Sequence, residues 1–456
     1  MCDGSSDSGF PEAIASIDEL EAYFHGGCKP RKDWKVGVEY EKPVVYSSTG
    51  EAVEYDGTRG IGSLLARMLE LYSWSPVYEN GKLIALRDGT ASITLEPGGQ
   101  FELSGEVCDS LHCADDELKR HVAEITRLGQ EMGLSFLALG ATPKTSLERM
   151  PWMPKGRYDI MREAMRRSGL LGHRMMQQTA TVQANFDYSD ERDASRKMRL
   201  AMALAPALVA MSANSPVIDG RPTGYRSYRA HVWTDTDPAR CGVLPFVFDT
   251  DNLFGAYTQY ALDVPMYFIP RGDRLIVTQG LTFRKFLQAG YEGERATMAD
   301  WHHHLTTIFP EVRLKTYIET RSADSQPPQL MLAIPAFMKG LLYDDAALDA
   351  AWEAVSTWPL DELARLLEGA AVSALAYRVG RFAMLDYVVE LTSISRAGLV
   401  KQACLDAQGE DESRYLDRLQ DELGRGVCPA ERIIELWEGP WGGEVDQLVR
   451  YACYQP

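Results

Sequence analysis

The chain has 456 residues, 45% of them hydrophobic and 25% charged, an ordinary balance for a protein that buries a large core without disulfide or metal staples. Its 65 acidic against 47 basic side chains leave a net charge of −18, which argues against nucleic acid and against an anionic membrane surface as partners, though not against a small anion in a local basic pocket. Eight scattered cysteines with no C-x-x-C are read as reduced thiols in a cytosol, so the expected location is cytoplasmic.

Residues 1–10 are expected to be disordered, and the acidic start Met1-Cys2-Asp3-Gly4 carries no signal-peptide pattern. Apolar spacing predicts helices over 14–24 and 58–72. Residues 74–86 read as strand around an Asn80-Gly81 hairpin turn, and Asp88-Gly89 marks another turn. A helix over 115–132 ends at Gly133 in the C-cap position, and a buried strand follows over 135–140. Helices are predicted over 158–168 and 192–213. The apolar run 200–211 in the second is too short for a bilayer and is expected to kink or break at Pro206. Helices over 253–262, 283–288 and 298–308 surround a strand over 266–269. Beyond about residue 340 the prediction is helical: 345–356, 360–367, 378–396 and 410–424. The chain therefore divides into a disordered 1–10, a sheet-and-helix body 11–345 and a C-terminal helical layer 346–456 packed on it. Strands and helices do not alternate regularly, so the expected fold class is α+β with a mainly antiparallel sheet.

Four strand-like stretches, residues 35–42, 93–103, 181–187 and 314–321, share one pattern. Apolar side chains (Val36, Val38, Tyr40, Ile93, Leu95, Phe101, Leu103, Val182, Ala184, Phe186) alternate with Glu39, Glu41, Glu96, Glu102, Gln183, Asn185 and Glu319. Glu39 and Glu41, two apart, point the same way, and the Pro97-Gly98-Gly99 turn can bring Glu96 and Glu102 side by side. Carboxylates about 5 Å apart repel by roughly 3 kcal/mol per pair at an effective dielectric near 20. Such a face is either a wet acidic surface or a cation site. Hard oxygen donors suit Mg²⁺, and histidine is too scarce for zinc. Successive positions of Trp301-His302-His303-His304 point about 100° apart on a helix and cannot converge on a metal. Lys155, Arg157, Arg226, Arg229 and Arg321 supply cations suited to carboxylates and phosphates. No P-loop, G-x-S-x-G or G-x-G-x-x-G motif occurs, and no Ser/His/Asp arrangement is legible. Acids plus arginines point to phosphoryl chemistry from a metal–nucleotide outside the P-loop class.

Nine ordered motifs then carry a resemblance. They include Gly37-Val38-Glu39-Tyr40-Glu41-Lys42, Leu95-Glu96-Pro97-Gly98-Gly99-Gln100-Phe101-Glu102-Leu103, Met153-Pro154-Lys155-Gly156-Arg157-Tyr158, Thr181-Val182-Gln183-Ala184-Asn185, His231-Val232-Trp233-Thr234-Asp235-Thr236-Asp237 and Phe309-Pro310-Glu311-Val312-Arg313-Leu314-Lys315. Over residues 35–345 the chain resembles the plant-type glutamate–cysteine ligases, also found in bacteria. The helical tail resembles them more weakly. The resemblance implies a cupped, mainly antiparallel sheet with helices behind, the glutamine-synthetase-like carboxylate-amine ligase fold. It implies ATP-dependent joining of the L-glutamate γ-carboxylate to the amine of L-cysteine through γ-glutamyl phosphate. By the same resemblance Glu39, Glu41, Glu96, Glu102 and Glu319, with Gln183 nearby, hold two or three Mg²⁺ ions. Arg157 and Arg229 hold glutamate or steer the acyl phosphate, Arg321 stabilises the transferring phosphoryl group, and Trp233 and Tyr267 shape the acceptor pocket. The partners expected are glutamate, cysteine and ATP, in a monomer or homodimer. A ligase for another amine and a non-catalytic amino-acid or nucleotide sensor are the alternatives. The chain departs from the plant pattern at Thr278, where a redox cysteine is expected, and in the plant-like transit segment. The insert Ser325-Gln326-Pro327-Pro328-Gln329 is this chain's own and is placed to alter a loop over the site.

Overall fold

The computed structural model describes residues 13–455, so the expectation of disorder over 1–10 lies outside the described residues. One sheet of eight strands organises the protein. Its strands are β1 (Val36–Lys42), β2 (Ser75–Glu79), β3 (Lys82–Asp88), β4 (Ala91–Leu95), β5 (Phe101–Ser104), β6 (Thr181–Phe186), β7 (Val312–Leu314) and β8 (Ile318–Asp324). They lie in the order β7-β8-β6-β1-β5-β4-β3-β2, and every neighbouring pair is antiparallel. The fold class is therefore α+β, a large antiparallel sheet with flanking helices, as the resemblance implies.

The alternation in β1, β4, β5 and β6 works as the sequence implies. Val36, Val38, Tyr40, Ile93, Leu95, Phe101, Leu103, Val182, Ala184 and Phe186 are all buried in one core. Full burial of each large apolar side chain contributes about 1.5–3 kcal/mol. Helix α1 (Leu111–Met132) ends at Gly133 in the left-handed region, φ +70°, as expected of a C-cap glycine. Asn80 and Gly81 both take positive φ between β2 and β3, which is the backbone a two-residue hairpin requires. The helix α4 (Glu191–Ser212) packs on β8, and α7 (Ala333–Leu342) packs on β6 and on α8 (Met384–Gln402). The C-terminal helices up to residue 424 share the sheet's main core, whereas the helices Pro429–Glu438 and Val445–Ala452 put Ile433, Trp437, Leu448, Val449 and Ala452 into a separate cluster with Val45, Leu137 and Leu139.

Several expectations are corrected. Helix α4 runs unbroken through Pro206 rather than breaking there, because every residue over 200–212 is buried and packing offsets the roughly 3 kcal/mol cost of an interior proline. The single strand expected over 314–321 is two strands, β7 and β8, joined through Lys315, Thr316 and Tyr317. The strand over 135–140 shortens to Leu134–Phe136. Residues 378–383 form two short paired strands turning at Gly380 (φ +57°), so the helix expected from 378 starts at Met384. Helices over Gly172–Gln178, Tyr228–Thr234, Ala333–Leu342, Pro429–Glu438 and Val445–Ala452 were not anticipated. Cys108 and Cys113 are not free thiols. They are joined in a disulfide across the start of α1, with Cα atoms 5.8 Å apart, while Cys28, Cys241, Cys404, Cys428 and Cys453 are free. The insert after β8 does not hang over the site. It turns into the core, where the Asn214 side chain donates to the Ser325 carbonyl at 2.8 Å and the Gln326 side chain donates to the Ser212 carbonyl at 2.6 Å. Among the described residues no helix is long and apolar enough to cross a membrane.

Candidate active site

The polar face of the sheet is not an open surface. It is the floor of a cavity of about 140 Å³. The registers explain how side chains distant in sequence come together on this sheet. Glu41 stands opposite Glu102 across β1 and β5, Glu39 stands opposite Gln183 across β1 and β6, and Glu319 stands opposite Asn185 across β8 and β6. Glu96 reaches the same cavity from the turn after β4. That turn depends on close approach: a Cβ on Gly98 would stand 2.1 Å from the Gln177 carbonyl oxygen, so only glycine lets α3 (Gly172–Gln178) sit against the hairpin. The roof comes from four helices. Arg157 and Tyr158 lie on α2 (Gly156–Ser168), Met175 and Met176 on α3, Arg229 and Trp233 on α5 (Tyr228–Thr234), and His303 on α6 (Met298–Thr306).

The cavity has two electrostatic halves. In the first, neutral groups hold the carboxylates. Asn185 donates its amide to Glu39 at 3.0 Å, the Thr181 backbone amide donates to Glu41 at 3.0 Å, and the Thr94 and Ser104 hydroxyls donate to Glu102. Burial pushes the Glu39 carboxyl up, helped by Glu319 and Glu102. Burial, then the neighbouring Glu96 and Glu102, push Glu41 well above the usual carboxylate range against the opposing pull of Arg229 and Arg321. In the second half guanidiniums do the holding. Arg313 grips Glu319 through two nitrogens, Nη2 to Oε1 at 2.8 Å and Nε to Oε2 at 3.1 Å, and Arg321 Nη1 donates to Oε1 as well. Glu319 is fully buried. Burial alone would raise its carboxyl, but Arg313 and Arg321 hold it far below the ordinary range.

Most of the residues singled out from sequence come together here: Glu39, Glu41, Glu96, Glu102, Gln183, Arg157, Arg229, Trp233 and Arg321 all line the cavity. Gln183 meets it differently from expectation, because its Oε1 accepts from Arg321 Nη1 at 2.6 Å. Glu319, expected among the metal-holding acids, does not line the cavity: it is fully buried and its oxygens accept from Arg313 and Arg321. Tyr267 does not line the cavity. It is buried in the wall beneath the Arg240 guanidinium, 4.0 Å from its ring centre, with its hydroxyl toward Met165 sulfur. Lys155 turns below the site to donate to the Leu95 carbonyl at 2.7 Å, and Arg226 ion-pairs with Glu431 at 3.4 Å. The three histidines diverge as expected: His302 rests on Tyr23, His304 bonds the Ala261 carbonyl, and His303 alone of the three enters the cavity. Arg313 was missed. Its signal was the turn at 315–317, which puts it opposite Glu319; reading 314–321 as one strand concealed that pairing.

The donor set on the acidic side is all oxygen, with two carboxyls that burial and like charges drive toward protonation. That chemistry fits a hard divalent cation. Among the described residues no three His, Cys, Asp or Glu side chains are already gathered into a closed ligand set. The fit is therefore to an ion that takes one or two carboxylates and completes its shell with water and phosphate.

Comparison with known proteins adds independent findings. The profile of Glutamate-cysteine ligase family 2 (GCS2) matches residues 35–451. The chain is 42% identical over 440 residues to chloroplastic glutamate–cysteine ligase B of Oryza sativa subsp. japonica, covering 96% of this chain and 87% of that protein. It is 42% identical over 443 residues to the chloroplastic glutamate–cysteine ligase of Arabidopsis thaliana, covering 96% and 83%. Among solved structures, glutamate–cysteine ligase from Francisella tularensis in complex with AMP superposes with a TM-score of 0.52 at 14% identity, covering 91% of this chain and 86% of that one, a likeness of fold.

Proposed function

The chain belongs to glutamate–cysteine ligase family 2, and from that premise we infer how this cavity performs the family's reaction. The protein is an enzyme of the ligase class that joins the γ-carboxylate of L-glutamate to the amine of L-cysteine with ATP, giving γ-glutamylcysteine, ADP and phosphate. A carboxylate is a poor electrophile. One γ-carboxylate oxygen attacks the terminal phosphorus of ATP, ADP leaves, and the resulting γ-glutamyl phosphate has phosphate as its leaving group. The cysteine amine then attacks the acyl carbon, a C–N bond replaces the C–O bond, and the amine proton leaves with phosphate or solvent.

The observation that carries the assignment of roles is the division of one cavity into an acidic and a guanidinium half. Glu39, Glu41, Glu96 and Glu102 would hold Mg²⁺, which when bound neutralises the polyphosphate and the charge developing on the transferred group. The expectation of two or three ions belongs to this proposal. Arg157 and Arg229 pair with the glutamate carboxylates. Arg321, steadied by Glu319 and the Gln183 carbonyl oxygen, faces the phosphoryl group in transit. Trp233, within 5.9 Å of both the Arg229 and Arg321 guanidinium carbons, excludes water from them and strengthens both charges. Glu319 acts through its arginines, and Tyr267 supports the acceptor wall from behind.

A cytoplasmic site of action rests on five free thiols against one bonded pair among the described residues. Action without nucleic acid or an anionic membrane rests on the net charge of −18, and a monomer or homodimer belongs to the same proposal. Measuring ADP release and γ-glutamylcysteine formation with glutamate plus cysteine, and then with glutamate plus other amines, tests the assignment. The expected result is turnover that requires both amino acids, ATP and Mg²⁺. Release with another amine but not with cysteine would overturn the acceptor, and nucleotide binding without release would overturn the ligase reading.

A further inference from the structure

Asp324, the last residue of β8, is fully buried and is not part of the cavity lining. Its carboxylate is nevertheless wired to one of the cavity's cations. Oδ2 accepts from the Asn214 backbone amide at 2.8 Å and from the Ser215 hydroxyl at 2.7 Å, and Oδ1 accepts from the Ser227 hydroxyl at 2.8 Å. Each serine passes the contact on. Ser215 Oγ accepts from the backbone amide of Arg229 at 3.0 Å, and Ser227 Oγ accepts from that of Ala230 at 3.1 Å. The far end of Arg229 is tied to the same strand, because its Nη2 donates to the Arg321 carbonyl at 2.8 Å. The site leaves no slack: a Cβ on Gly140 would stand 2.5 Å from the Asp324 carboxyl carbon.

A buried carboxylate that satisfied only its own hydrogen bonds would be a costly way to join a strand to a loop. Here both hydroxyls it orders are spent on consecutive amides at Arg229 and Ala230. The arrangement locks the Arg229 backbone and guanidinium to β8, the strand that also carries Arg321. We propose that Asp324, acting through Ser215 and Ser227, is the positioning residue that fixes Arg229 against the carboxylate of the amino-acid donor. The inference rests on the reading of Arg229 as a glutamate-binding group. Asp324 touches no reacting atom, and its effect falls on glutamate rather than on nucleotide.

The test is steady-state kinetics on the full-length enzyme with KM resolved for glutamate and for ATP separately. Asp324→Asn offers one acceptor oxygen in place of two, and it should raise the glutamate KM about tenfold while the ATP KM stays within twofold and kcat within threefold. Ser215→Ala and Ser227→Ala should each raise the glutamate KM by a smaller factor, and the double variant should match Asp324→Asn. In an Arg229→Lys background, Asp324→Asn should add no further increase. Equal rises in both KM values, or full additivity with Arg229→Lys, would overturn the proposal and leave Asp324 a structural residue. If Asp324→Asn fails to fold, the two serine variants carry the same test, and no rise in glutamate KM from either would overturn it. If Arg229→Lys raises the glutamate KM and the Asp324 and serine variants do not, the inference falls while the reading of Arg229 stands. An unchanged glutamate KM for Arg229→Lys overturns both.

Discussion

Two regions of the same sheet, the acidic floor of the cavity and the guanidinium cluster of Arg313 and Arg321 beside it, hold the same side chain, glutamate, in opposite states. Glu41 sits among other acids and takes one backbone amide; its carboxyl is driven up. Glu319, two strands away across the sheet, takes two guanidiniums; its carboxyl is driven down. Desolvation pushes both carboxyls upward, so the partners decide. The acidic half gathers like charges around Glu41 and is the half proposed above to take Mg²⁺. The guanidinium half is complete as folded and presents fixed positive charge to a substrate. The difference separates residues that wait for a ligand from residues that shape the site beforehand.

The largest expected effects test each half by its chemistry. Glu102→Gln removes a charge from the acidic half and should lower kcat by about 10³-fold, with circular dichroism unchanged, if metal-supported charge stabilisation depends on it. Turnover near wild type would take Glu102 out of the metal role. Arg321→Ala should lower kcat by a similar factor of about 10³, because a guanidinium facing phosphoryl transfer acts mainly in the transition state. A rise in ATP KM with kcat intact would instead make it a ground-state binder.

Stability separates the halves by sign. Glu319→Gln leaves Arg313 buried with half its partner and should destabilise the protein by about 3–5 kcal/mol in urea unfolding. Glu41→Gln in chelator should be neutral or stabilising, since it removes a carboxylate crowded by Glu96 and Glu102. Like signs for the two would collapse the comparison.

The smallest effect is in pH, and the two halves again oppose each other. Glu41 binds its proton more tightly folded than unfolded. In metal-free protein its contribution to stability is therefore fullest at low pH and is lost as pH rises from the ordinary glutamate range, near 4.3, through the raised folded value. Glu319 is depressed, so its contribution is present above that ordinary value and is lost as pH falls toward the folded one. A tenfold difference in proton affinity between the folded and unfolded chain corresponds to about 1.4 kcal/mol. Urea titrations between pH 4 and 8 in chelator should show a downward slope with rising pH that Glu41→Gln flattens and Glu319→Gln does not.

Much of the site was legible because strand alternation is a local property. The pattern of Val36, Val38 and Tyr40 against Glu39 and Glu41 fixes which side of β1 is core, and the same holds for Gln183 and Asn185 between Val182, Ala184 and Phe186. The Asn80-Gly81 and Gly133 signals likewise depend only on backbone freedom at one or two residues. What pattern alone could not supply was pairing at a distance. The turn at 315–317 sets Arg313 opposite Glu319, and no local periodicity announces it. The unbroken helix through Pro206 exists because its surroundings are packed, and Tyr267 packs under Arg240 outside the cavity lining.

The amino-acid sequence by itself determined the alternating strands, the supply of acids and arginines and the membership of a family, since these are written in residue order and spacing. Only the tertiary structure decided which glutamate is held by guanidiniums and which sits among other acids, and that a buried aspartate at the end of β8 reaches Arg229 through two serines. Electrostatic state depends on neighbours within a few ångströms, and those neighbours come from strands and helices far apart along the chain.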